Sequence, residues 1–129
     1  MLADEVRTAV GPPKREGKSR GEYEMVYGDD GFLALFFEPK EQKVAEIGFA
    51  PSEDLTLLFE GTDLFRDPTA FDSVLSRHGK ALDAMGSIVF SDLGLSFSGF
   101  HDQDEEHKAV TVFSRGRWDE VLTGATPYP

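Results

Sequence analysis

From Leu93 to Gly99 the chain alternates without a break. Leu93, Leu95 and Phe97 fall on one side, and Gly94, Ser96 and Ser98 on the other. A period of two, apolar against small and polar, predicts a half-buried strand. Residues 28–37 (GDDGFLALFF) repeat the theme: Asp29 and Gly31 stand against Asp92 and Gly94, and Phe37 against Phe100. With two such strands, each entered through an Asp-x-Gly turn, the chain reads most simply as two copies of one unit.

The surrounding elements fall into the same order in both halves. Leu2, Val6, Ala9 and Val10 mark one face of a helix over 2–10, closed by Gly11 and stopped by Pro12 and Pro13. Residues 14–20 read as a polar loop. Strands are predicted over 22–27, 32–38, 43–49 and 55–60, joined by short turns and therefore antiparallel neighbours. Asp67 as N-cap and Pro68 at the first helical position open a second helix. Phe71, Val74, Leu75 and His78 form its apolar face, and Gly79 closes it. Residues 80–86 fit either a helical extension or a packed loop. Strands over 87–90, 93–100, 109–114 and 118–122 follow, and 123–129 reads as a loose tail.

The prediction is a single α+β domain over 1–129. Its two layers are an antiparallel sheet of about eight strands and two helices on one face. Residues 1–60 and 67–122 are its tandem units. Asp4 and Val6 precede Gly11 as Asp72 and Val74 precede Gly79. The alignment also matches Phe49 with Phe113, and Leu57-Leu58 with Val121-Leu122. This order of elements resembles the β-lactamase inhibitor protein superfamily, built from helix–meander repeats, and more loosely the small acidic immunity proteins of bacteria. The resemblance implies a role in binding another protein. No functional residue is carried across, because it rests on the order of elements and on no motif.

The 129 residues hold 13 Lys and Arg against 24 Asp and Glu, a formal charge of −11. Such a surface repels nucleic acid and anionic membranes and attracts basic proteins; the plainer reading is solubility alone. With no cysteine, thiolate metal sites, disulfides and cysteine nucleophiles are excluded. The acids at the start of the chain and the lack of an apolar run fit a cytoplasmic protein of bacterial type.

Motifs for chemistry are missing. There is no phosphate-binding Gly-rich loop, no Gly-x-Ser-x-Gly and no zinc-hydrolase His pair. The segment His101–His107 (HDQDEEH) gathers two imidazoles and four carboxylates, which could bind a divalent metal. It lacks the length and central Gly of a calcium loop, and a solvated hairpin tip is the reading preferred. No catalytic, cofactor-binding or metal-binding residue is nominated, and no cofactor. Arg115, Arg117 and Trp118 are of the types concentrated in interface hot spots, and they are the nominated protein-binding residues. The competing reading has Trp118 plugging the edge of the core while the arginines pair with nearby acids. The expectation is therefore a small acidic binding module, of inhibitor or immunity type and not an enzyme, that meets a basic protein. The alternatives are a small-molecule-binding domain or small enzyme with a Phe-lined pocket between sheet and helices, and a structural homodimer.

Overall fold

The computed structural model describes residues 1–128. Nine strands form one antiparallel sheet: β1 (Arg15–Ser19), β2 (Glu22–Tyr27), β3 (Leu33–Phe37), β4 (Val44–Phe49), β7 (Leu82–Ala84), β8 (Ser87–Phe90), β9 (Leu95–Ser98), β10 (Ala109–Phe113) and β11 (Thr126–Pro127). β5 (Leu58–Phe59) and β6 (Thr62–Asp63) make a separate hairpin. The sheet order is β1-β2-β3-β4-β10-β9-β8-β7-β11. Two four-stranded meanders thus meet last strand to last strand, with β4 antiparallel to β10. The fold is α+β, as the sequence predicts.

Helix α1 (Ala3–Val10) precedes the first meander and α2 (Ala70–His78) the second. Helices this short are marginal alone and persist by burying an apolar face. Val6 of α1 packs with Met25, Leu35 and Phe37. Val74 and Phe71 of α2 pack with Ile88, Phe90 and Phe97. The register sets Leu35 opposite Ile47, Ile47 opposite Val112, and Val110 opposite Phe97. Residues opposed across a ladder share a face, so both helices cover the same face of the sheet. Asp67 does not itself cap α2: its carboxylate accepts hydrogen bonds from the Thr69 amide and hydroxyl, each at 2.8 Å, in the turn just before the helix. Gly11 and Gly79 close the two helices alike, with φ of 100° and 58° and amide bonds back to Arg7 and Leu75.

The predicted order of strands is corrected in both halves, and in the same way. Each unit takes its extra strand from before the predicted three, not after. Residues 15–19 are β1, not a loop. Its side chains are almost all exposed, so no apolar alternation marks it. Residues 82–84 are β7, which settles the ambiguous stretch. Of the predicted strand 55–60, only Leu58 and Phe59 are extended, and they pair with Thr62–Asp63. Leu57 and Phe59 are apolar because they pack on the α2 core. Residues 119–122 are helical (α3, Asp119–Leu122), not a strand. Within 123–129, Thr126 and Pro127 are β11; Pro129 lies outside the described residues.

The register also shifts the repeat. Through the ladders, Met25 corresponds to Ile88, Val26 to Val89, Leu35 to Phe97, and Phe49 to Val112. Matching Phe49 with Phe113 is one residue out, and a slip of one moves a strand residue to the opposite face. Phe113 belongs to the outer face. There it packs with Ala84, Val89, Trp118, Leu122 and Ala125. Residues of the segment 114–125 therefore pack on the outer face over the second meander, a departure from two simple layers.

Candidate functional site

Trp118 lies flat on Phe113, ring centroids 4.5 Å apart and planes within 2°. Its indole Nε1 donates to Glu46 Oε1 at 2.8 Å. The same oxygen accepts from Arg117 Nε at 2.9 Å. The two terminal nitrogens of Arg117 grip Glu22 in a bidentate pair at 2.8 and 2.7 Å. Arg117 thereby ties the segment after β10 to β2 and β4, strands of the other unit. The Arg117 hydrogen bonds hold the Glu22 carboxyl below the usual carboxylate range against the opposing effect of burial. The guanidinium is held more firmly charged, first by Glu22. Of the three nominated residues only Arg115 projects freely into solvent. Arg117 and Trp118 are engaged within the chain, in the arrangement that the competing reading describes. On this outer face Glu24, Phe36 and Glu46 form one row and Val26, Ala34 and Gly48 the next, so the clasp sits at the end of the first row.

The two histidines of the 101–107 loop part company. His107 Nδ1 meets Asp104 at 2.9 Å on the surface. His101 turns inward against Phe71 and Tyr128, at centroid distances of 6.5 and 5.8 Å. Among the described residues, no three His, Asp or Glu side chains converge as a metal site would require. His78 ends the apolar face of α2 and meets Glu60 at 2.7 Å, which pins the β5–β6 hairpin to the helix.

Each unit has a cleft at the start of its helix. The first, of about 440 Å³, is lined by Leu2, Asp4, Tyr23, Phe37, Glu38 and Lys18 among others. The second, of about 660 Å³, lies between α2 and the β9–β10 loop and is walled by Phe65, Phe71, Phe100, His101 and Tyr128. Asp72 and Glu105 also line it, and Lys108 Nζ sits 4.5 Å over the Phe100 ring. His101 Nδ1 is buried there without a hydrogen-bond partner. Leaving a polar nitrogen unpaired in the interior costs about 1–3 kcal/mol. Replacement His101→Phe keeps an aromatic side chain, slightly larger, and removes the unpaired nitrogen, so it is expected to raise stability by about 1 kcal/mol in urea denaturation. A loss of stability would show that the nitrogen has a partner.

The sequence reading missed this aromatic cluster. Phe71 was legible on a helical face and Phe100 at a strand end. Tyr128 fell in a segment that carries only turn residues, so nothing pointed to their meeting. Comparison of the chain with protein-family models, with curated proteins and with solved structures finds no match.

Proposed function

We propose that this chain is a binding module for a basic protein, of the inhibitor or immunity type, working in the cytoplasm without catalysis. The observation that carries the reading is the disposition of charge. More than half of the cationic side chains (Arg7, Lys14, Lys43, Arg66, Arg77, Lys108 and Arg117) are held in ion pairs within the chain. Carboxylates such as Glu24, Asp54, Asp72, Asp92, Glu106 and Glu120 form no ion pair among the described residues. The unbalanced field therefore faces outward and is negative, which steers a basic partner and speeds encounter. No helix among the described residues is long and apolar enough to cross a membrane. Both sheet edges are poorly suited to pairing between copies: β1 carries Arg15 and Lys18, and β11 is two residues long and contains Pro127. Both features favour a heterologous partner over a homodimer.

The test is capture of tagged protein complexes at low ionic strength with a salt step for elution. A basic protein released by salt is expected. Its purified complex should then weaken roughly tenfold or more as the salt is raised severalfold, because exposed charges lose their reach beyond about 10 Å at 0.1 M. A complex indifferent to salt, or no complex at low salt, would overturn the reading. The second reading, a small-ligand site, is favoured by one feature: the cleft of about 660 Å³, lined by aromatic and charged side chains together, with the unpaired His101 nitrogen beside it. Ligand-observed NMR against small aromatic compounds, with His101→Phe as control, tests it; equal binding to both proteins would rule out His101 as a ligand contact.

A further inference from the structure

The sheet ends at β7 only because the chain covers it with its own segment. Thr126 pairs with Asp83 and Pro127 with Leu82. The Tyr128 amide donates to Ala81 O at 2.8 Å. The Tyr128 ring then enters the aromatic cleft, edge-on to Phe71 at 6.1 Å and to His101 at 5.8 Å. The residue after a bonded position points its N–H to the other side, so the N–H that Pro127 lacks would have faced solvent. β11 thus hides the β7 edge and offers little of its own for another strand to join. The cover is slight. Both residues of β11 are exposed, and the ladder is two residues long. At the other end of β7, Met85 is fully exposed at the hairpin tip.

We propose that the β7 edge, together with the aromatic cleft at its end, is a strand-addition site for an extended basic segment bearing an aromatic residue. In the free chain its own Thr126–Tyr128 occupies that site. Strand addition takes its affinity from main-chain hydrogen bonds and its selectivity from a side-chain pocket. Here β7 supplies the first, and Phe71, Phe100 and His101 supply the second. Tyr128 shows what the cleft accepts, an aromatic ring presented from an extended backbone. A longer segment would extend the ladder toward Ala84 and lie beside Met85. The sign of its charge rests on the basic-partner reading above. Locally it is supported by Asp72, Asp83 and Asp102, none of which is ion-paired among the described residues. The opposite edge, β1, is basic and would repel the same segment.

The experiment uses a fluorescein-labelled peptide that alternates Lys with Val and Thr and carries one Tyr, and a counterpart with Glu for Lys. Binding is read by anisotropy and located by amide hydrogen exchange. The wild-type protein should bind the Lys peptide, with protection rising at 81–85 and unchanged at 15–19. Tyr128→Ala loosens the native cover and should bind roughly tenfold more tightly, since a site masked by its own chain loses apparent affinity in proportion to its occupancy. Its thermal melt shows whether the fold is intact. If Tyr128→Ala fails to fold, the wild-type exchange map decides. Protection that falls elsewhere, or no binding by folded protein, overturns the inference. Dimerisation of Tyr128→Ala without peptide binding overturns it in favour of a second copy. Equal binding of the Glu peptide at 81–85 keeps the strand-addition site and overturns the basic-partner reading.

Discussion

Replacing Arg117 by alanine is expected to destabilise the fold by about 2–3 kcal/mol at neutral pH, measured by chemical denaturation. The substitution leaves Glu22 on β2 and Glu46 on β4 without the cation that both of them bind. Their side chains are only 26% and 20% exposed, and that of Arg117 18%. Stranded charges of this kind cost more than the net worth of the pair, and the remaining water access keeps the loss below that of a fully buried pair. The pH dependence follows from the direction of the Glu22 shift. Arg117 depresses the carboxyl in the folded state, so its contribution is complete above the ordinary glutamate value of 4.5 and fades as pH falls through the lower folded value. The difference between wild type and Arg117→Ala should therefore be widest at neutral pH and narrow below about 4.5. Glu22→Gln introduced into Arg117→Ala should restore part of the loss, because the two sites share one network. A variant as stable as wild type, or a difference that widens in acid, would show the clasp to be incidental.

The clasp was half legible. Trp118 and two arginines around a glycine stood out by residue type, and residue type is what marks a hot spot. Whether such residues face a partner or the chain itself depends on which strands lie beneath them. Glu22 and Glu46 are distant in sequence, and no local pattern couples them to Arg117. The strands themselves show the same division. β2, β3, β4, β8, β9 and β10 bury at least one face, so they show either an alternation or a short apolar run that a sequence displays. β1 lies at an edge with both faces wet, and β7 is three residues long, so neither carries a pattern. A signal was nevertheless present. Arg20-Gly21 joins β1 to β2 and Met85-Gly86 joins β7 to β8, and all four residues have positive φ. That is the geometry of a two-residue hairpin turn, written with unusual first residues where Asn or Asp is the usual mark. The helix over 119–122 was not legible, since Trp118 and Leu122 stand four apart, a spacing that shares a face in a helix and in a strand alike. The partner was not legible for a different reason. An acidic surface states a sign of charge, and an identity needs shape, which only the folded chain has.

The two Asp-x-Gly turns look alike in sequence, and the structure gives them different tolerances. Gly31 and Gly94 both adopt left-handed backbone, φ of 69° and 66°. A side chain pays for that conformation at either site. At Gly31 an added Cβ would meet Val26 Cγ1 at 3.5 Å, an ordinary contact with a side chain. At Gly94 it would stand 2.5 Å from the Phe113 carbonyl oxygen, which is backbone at the end of β10. That oxygen cannot move without moving β10, because the Phe113 amide is itself bonded to Gly94 O at 2.9 Å. Gly31→Ala is therefore expected to cost about 1 kcal/mol, and Gly94→Ala about 3–4 kcal/mol, backbone strain and overpacking combined. The damage at Gly94 should also reach the clasp. Phe113 carries the stacked ring of Trp118, so displacing its backbone loosens the indole from Phe113 and from Glu46. Trp118 is the single tryptophan of the chain, and its emission reports that environment alone. A red shift in Gly94→Ala, absent in Gly31→Ala, is the expected signature. Equal losses of stability in the two variants, or an unmoved spectrum in Gly94→Ala, would mean that β10 yields without disturbing what is built on it. The clasp would then be anchored by the Arg117 ion pairs and not by the strand beneath.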